Sequence, residues 1–262
     1  MIYFILTFFF GAAVGSFINV LIDRTILGLN WVSGRSHCDY CHKTLAWFDM
    51  IPILSFMVNR GKSRCCKRPL TYRYPIVEAL VGSLFVWWLA VGFWFFKLVS
   101  APLIVLQPLF WLLTGVILLI LFLADLFYGV VLMGVVWCGY VITILYRVIL
   151  SIYGAYQLSD FAINLLSSSL IFLFFWILNK LTKGKGMAEG DMYVAFYIGL
   201  VLGWPRSIVA MFLSFVIGAI VGVLLIATKI RSRKDTVPFV PFMIIGAIIA
   251  LLWGKQLIGF LG

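Results

Sequence analysis

Asp125 and Asp191 each stand where a long apolar run meets a charged or glycine-bearing stretch. The chain has only nine acidic residues in 262, and an ionisable group within or at the edge of a membrane span is costly unless it pairs, faces water or performs chemistry. Two carboxylates brought together have a specific capability. One takes a proton from water while the other, protonated, donates to a developing oxyanion or a leaving amine, because two carboxyls at close range do not readily both ionise. The pair therefore points to an aspartyl hydrolase. Gly190, which lacks a Cβ, is expected to let substrate backbone or a neighbouring helix come close to Asp191. The alternative is that Gly186 and Gly190 only form the turn entering a helix that Asp191 caps.

A second set of residues has the composition of a metal site. Cys38-x-x-Cys41 is followed by the adjacent pair Cys65 and Cys66, and two such pairs separated by a loop can supply a tetrahedral thiolate centre, for which zinc is the natural guest. Adjacent side chains usually diverge, so His37 or His42 is the alternative to Cys65 as fourth ligand. A loop with free thiols is the non-metal reading. Cys138, alone in an apolar run, is expected to serve packing.

These groups must be positioned within a membrane. The chain is 64% hydrophobic and 11% charged, with a mean hydropathy of +1.14, which excludes a water-soluble globule. Helical spans of roughly 20 apolar residues are read at about 1–22, 75–96, 102–123, 127–147, 161–179, 192–203, 207–227 and 238–258. The expected fold is an all-α polytopic membrane protein of about eight transmembrane helices, with a cysteine-bearing loop after the first. The expected organisation is a first helix (1–22), the loop (23–74) and a transmembrane core carrying both aspartates (75–262). The fourth and sixth spans are expected to unite the aspartates. Gly11 and Gly15, like Gly218 and Gly222, are spaced four apart, which permits close helix packing.

Basic residues favour the cytoplasmic side of a span. The loop holds Arg24, Arg35, Lys43, Arg60, Lys62, Arg64, Lys67, Arg68 and Arg73 and is expected there. Alternation then brings Lys180, Lys183, Lys185, Lys229, Arg231, Arg233 and Lys234 to the same side, leaving Lys97, Arg147, Arg206 and Lys255 outside. Glu78, Asp125 and Asp191 fall near the cytoplasmic ends of their helices. Glu78 either lines the site or helps seat a substrate, or only pairs with Arg73 near the interface, the structural role being favoured, and Asp23 and Arg24 mark the exit of the first helix. The net charge of +11 is what this topology and anionic lipids require, so no nucleic-acid partner is expected.

GSFINVLIDR at the end of the first span, the loop sequences CDYCHKTLAWFDMIPILSF and NRGKSRCCKRPLTYRYPIVEAL, then LADLFYGVVLM around Asp125, GMAEGDMYVAF around Asp191 and VPFVPFMIIGA near the end, together resemble the bacterial prepilin leader peptidases. The segment at Asp191 is similar to their GxGD signature, with Ala188 in place of its first glycine and Glu189, Gly190 and Asp191 matching. The family's lysine two residues on is Tyr193, its proline-aspartate pair is Leu132 and Met133, and its third loop cysteine is Ser63, while Cys66 matches the fourth and Cys65 is a candidate substitute for the third.

The resemblance implies Asp125 and Asp191 as catalytic residues of an aspartyl endopeptidase. Its substrates would be prepilins and pseudopilins, cut at the cytoplasmic membrane face of a bacterium. It also implies methylation of the new amino terminus from S-adenosylmethionine, for which no Gly-rich adenosine-binding loop is apparent. The competing functions are a proton-coupled transporter, which would show broken helices and internal repeats, and a zinc-anchored scaffold that leaves both aspartates idle.

Overall fold

The structure, a computed structural model, describes residues 1–32, 34–38, 40–95, 103–184, 186–230 and 237–259, without the side chains of residues 255 and 258. Lys97, Lys185, Arg231, Arg233 and Lys234, and the Lys255 side chain, lie outside the described residues.

All regular elements among the described residues are helical. They are α1 (Ile2–Ile26), a 3-10 turn (Trp47–Met50), α2 (Leu54–Val58), and α3 (Arg73–Trp87), which continues through a π-turn (Trp88–Gly92) into α4 (Phe93–Phe95). There follow α5 (Leu103–Tyr128), α6 (Met133–Ile152), α7 (Leu158–Leu181), α8 (Glu189–Leu202), α9 (Arg206–Ala227) and α10 (Val240–Gly259). Among the described residues, six helices are long and apolar enough to cross a bilayer: α1, Arg73–Phe95, α5, α6, α7 and α9. The protein is thus a multi-pass membrane protein. The other two expected spans are shorter, α8 at 14 residues and the apolar stretch Val240–Gly254 of α10.

Two compact units form, Met1–Val116 and Ile117–Gly262. In the first, α1 packs along α3 through glycines. A Cβ on Gly11 would come within 2.8 Å of the Phe85 Cβ, and one on Gly15 within 2.8 Å of the Glu78 Cα. The loop-side ends of this pair are clasped by an ion pair of Arg73 with Asp23 and by the Asn19 amide donating to the Tyr74 carbonyl at 3.3 Å. Arg73 is therefore not the partner of Glu78. Five residues apart at 3.6 per turn, the two side chains leave α3 in different directions. Glu78 is buried and accepts a hydrogen bond from the Ile53 N–H at 2.8 Å.

In the second unit the aspartates are carried differently from the expectation. Asp125 belongs to the third long helix, α5, because nothing in LFLADLFY breaks the helix before Gly129, whose φ of +63° ends it. The helices α9 and α10 approach at Gly246, where a Cβ would lie 2.5 Å from the Ala210 carbonyl oxygen. That residue had not stood out in the sequence. A Cβ on Gly218 would lie 3.3 Å from the Phe242 ring, a tight approach, whereas nothing described lies within 4 Å of a Cβ built on Gly222, so only one of that pair serves packing. Cys138 is exposed on α6, not packed as expected, because it faces away from the helices that α6 touches.

Gly15→Val forces α1 from α3 and should cost about 1–3 kcal/mol, the usual range for overpacking, whereas Gly222→Val should leave stability unchanged. Thermal unfolding in detergent measures both.

Candidate functional site

Asp125 and Asp191 are both buried, 5% and 4% exposed, and lie near enough to interact as charges. Each is met by the amino-terminal end of a helix. The Val240 N–H, the first of α10, donates to Asp125 Oδ2 at 3.1 Å. Asp191 occupies the first turn of α8, where its Oδ2 accepts the Ala188 N–H at 3.1 Å. Ala188 precedes the helix and has no side-chain acceptor of its own, so Asp191 performs half of a capping box alone. Unpaired N–H groups at helix starts favour negative charge nearby. Gly190 and Asp191 therefore lie inside the first turn, and Ala188, not Asp191, is the N-cap; the bond of Asp191 to the Ala188 N–H coexists with the approach of Asp125.

Gly190 has a definite neighbour. A Cβ there would lie 2.5 Å from Cγ2 of Val131, in the turn just after α5. The glycine lets the start of α8 close on the turn that follows Asp125. The far end of α8 is held by α6, through Arg147, which donates to the carbonyls of Leu200 at 3.2 Å and Val201 at 3.1 Å. The Tyr140 hydroxyl donates to the Tyr193 carbonyl at 2.8 Å, and Gly139 accommodates Tyr197. Sequence reading missed Val131, Val240 and Arg147 as positioning groups. For Arg147 a signal existed, since a lone cation in an apolar run needs acceptors.

In the first unit the sulfur atoms of Cys38, Cys41, Cys65 and Cys66 all lie within 4.8 Å of one another. Neither His37 nor His42 belongs to this cluster. The cluster is built from two copies of one turn. In the first, the Cys38 N–H donates to the Lys43 carbonyl and the His42 N–H to the Cys38 carbonyl, both at 2.9 Å. The second repeats this from Ser63 to Arg68 at 2.7 Å and from Lys67 to Ser63 at 2.8 Å. Bridges pair His37 with Thr44 and Lys62 with Pro69, and His42 and Lys67 share a left-handed φ of 55° and 60°.

Ser63 is therefore the counterpart of Cys38, and Cys66 that of Cys41. Cys65, within the second turn, brings its sulfur to 3.1 Å from that of Cys41. A turn curls successive side chains around one centre, so the two adjacent cysteines converge here. The Ser63 hydroxyl lies 3.3 Å from the Cys38 sulfur and 3.1 Å from the Cys65 sulfur.

The donor set and its size suit a metal ion. Four-coordinate thiolate centres with bonds of about 2.3 Å need sulfurs about 3.8 Å apart, and Cys38 and Cys66 are at 3.7 Å. Burial pushes the Cys38 thiol up, but hydrogen bonding with Ser63 and the backbone of Cys41 and Tyr40 outweighs it, and its pKa falls to about 6. Hydrogen bonding with Cys65 pushes Cys41 the other way, to about 11. A cluster so tight cannot hold four thiolates without a cation.

Residues 9–92 match the Bacterial Peptidase A24 N-terminal domain and residues 111–223 the Type IV leader peptidase family. A prepilin leader peptidase/N-methyltransferase of Bacillus subtilis is 30% identical over 254 residues, which span 97% of this chain and 95% of the relative. The chain belongs to the type IV leader peptidase family. Proteins with the same description from Pseudomonas putida (30% identical, 94% of this chain and 89% of the relative) and Aeromonas hydrophila (27%, 98% and 92%) are similar over nearly their full length. No solved structure matches the chain. Within this membrane peptidase family, the matched segments contain the cysteine cluster in one and both aspartates in the other, while Val240 lies beyond them.

If the cluster carries a metal, Cys65→Ser should lower the metal content of the purified protein, whereas His37→Ala and His42→Ala should not. Adding Ser63→Cys to Cys65→Ser should restore retention, because position 63 occupies the same seat as Cys38. Metal analysis of the purified variants measures each outcome.

Proposed function

We propose that this protein is an aspartyl endopeptidase that removes the short basic leader from type IV prepilins or pseudopilins, with Asp125 and Asp191 as its catalytic dyad. The observation that carries the reading is two buried carboxylates on sequence-distant helices, near enough to interact as charges and each bound to an N–H at a helix start. Such a pair holds one proton between its members, and its apparent pKa values belong to the dyad. The ionised carboxylate deprotonates the attacking water, and the protonated one donates to the carbonyl oxygen and then to the leaving amine. Helix-start N–H groups supply fixed dipoles that need not reorganise as charge develops. Neither transporter nor scaffold action accounts for the descriptions borne by the relatives.

The positive-inside distribution supports a bacterial inner-membrane location with the dyad toward the cytoplasm. In an alternating chain α5 ends and α8 begins on the side that holds the basic loop. A prepilin that enters the bilayer by its apolar helix leaves its leader at this interface, where the cut is required. We assign zinc to the cysteine cluster, held by Cys38, Cys41, Cys65 and Cys66. When bound, it supplies a structural cross-link between the two turns of the loop. The relatives' description supports methylation of the new amino terminus with S-adenosylmethionine as donor. The described residues contain no strand leading into a Gly-rich loop and helix, so no residue is assigned to that donor and no step is derived through it.

Asp125→Asn and Asp191→Asn should each lower leader cleavage by at least the 10²–10⁴-fold, roughly, that a general acid or base contributes, with insertion intact. Asp160→Asn, at an exposed position in the first turn of α7, should process prepilin at the parent rate. Cleavage of a synthetic prepilin peptide, followed by sequencing of the product's amino terminus, measures this, and near-parental activity in either dyad variant would reject the mechanism. A bulky residue in place of the glycine before the cut should slow cleavage more than neutralising the leader, and high salt should weaken only the leader's contribution. Rates with peptides varied at one feature at a time test that ranking.

A further inference from the structure

The loop between α1 and α3 does not simply project from the membrane. Its two ends leave and re-enter at one point, where Arg73 pairs with Asp23. Between them the chain turns back. The Ile53 N–H is bound by Glu78, five residues into α3 from Arg73 and so about 7.5 Å further along that span at the helical rise. A backbone group bound there is held beside the first turns of α3, and the segment around Ile53 folds back against that span and does not stand clear of it.

The elements on either side of Ile53 carry the surface suited to that position. Trp47 is 74% exposed and Val58 79% exposed, and Met50, Leu54 and Met57 are exposed as well. The inner face of the same segment is satisfied otherwise. Phe56 packs edge-on against Tyr72, with ring centroids 5.3 Å apart, and a Cβ built on Gly61 would lie 3.2 Å from the Phe56 ring. Asp49, the acidic residue of this segment, is taken up by the Ala46 N–H at 3.2 Å and by Arg64 at 3.7 Å. Directly beyond Val58, a groove is lined by Asn59, Arg60, Lys62, Ser63 and Lys67. Large apolar side chains beside a basic rim are what the boundary of an anionic bilayer accepts.

We propose that Trp47–Val58 is a re-entrant interfacial segment that seats its outward face in the lipid headgroup and upper acyl region, with Arg60, Lys62 and Lys67 contacting anionic phospholipid phosphates. The segment thereby anchors the cysteine-bearing loop to the bilayer at a depth set by Glu78. This goes beyond the peptidase reading and does not depend on it.

The test places a benzophenone amino acid at Trp47 or Met57 in the full chain, reconstituted in nanodiscs of equal parts phosphatidylcholine and phosphatidylglycerol. The lipid-facing reference is Val141 in mid-α6, 54% exposed. Each labelled protein is first required to keep the parent thermal transition. After illumination, mass spectrometry should find phospholipid adducts at 47 and 57 on the scale of those at 141, with phosphatidylglycerol captured severalfold over its share at 57. Arg60→Gln with Lys62→Gln should abolish that preference. Background labelling at 47 and 57 while 141 is labelled would overturn the proposal, as would cross-links to polypeptide in place of lipid. Equal capture of the two lipids at 57 would overturn the role given to the cations.

Discussion

A carboxylate at the edge of the hydrocarbon must find hydrogen-bond donors inside the protein, because the bilayer offers none. The helical unit around Asp125 and Asp191 is organised by that requirement. The first free N–H of α10 goes to Asp125, the N–H of Ala188 goes to Asp191, and the start of α8 is drawn against the turn after α5 by the missing side chain of Gly190. Two problems are solved together, since helix starts have N–H groups without partners and buried carboxylates have oxygens without donors. The last helix is thus part of the site despite its distance in sequence.

The same economy holds at the other end of α8. Its terminal carbonyls lack intrahelical donors, and Arg147 is a cation in an apolar setting. The guanidinium serves the carbonyls of Leu200 and Val201. A helix of 14 residues is too short to be held by length alone, so its position is fixed by polar contacts at both ends and by the aromatic packing of Tyr140, Phe172 and Tyr193 between them. In the first unit, Glu78 is likewise matched to a backbone N–H, here one belonging to a loop.

Much of this was legible in the residues. The apolar runs gave the helical class, and rare carboxylates flanked by small residues marked Asp125 and Asp191. Paired cysteines marked a cluster of four sulfurs suited to a metal. What could not be read is what depends on backbone direction in three dimensions. No pattern announces that the Val240 N–H, a main-chain group, points at a side chain more than a hundred residues earlier. The division between the third and fourth spans is displaced because Asp125 is the one charged residue in the otherwise apolar LFLADLFYGVV, and only the left-handed φ of Gly129 decides where the helix stops. Cys65 could not be chosen over the histidines, since the convergence of neighbouring cysteines depends on the turn. Arg73 and Glu78 were paired by proximity in sequence, though helical phase separates them.

The duplicated turn of the cysteine loop also bears on how such a site changes over generations. Its two halves impose the same backbone path, so the seats around the centre are a property of the fold and outnumber the ligands needed. Ser63 occupies one seat while Cys65 reaches the centre from the next. A lineage can therefore acquire a thiol at one position before losing it at the other and hold four sulfurs at every step. Ligand identity can drift along the chain in this way while the architecture around it stays fixed.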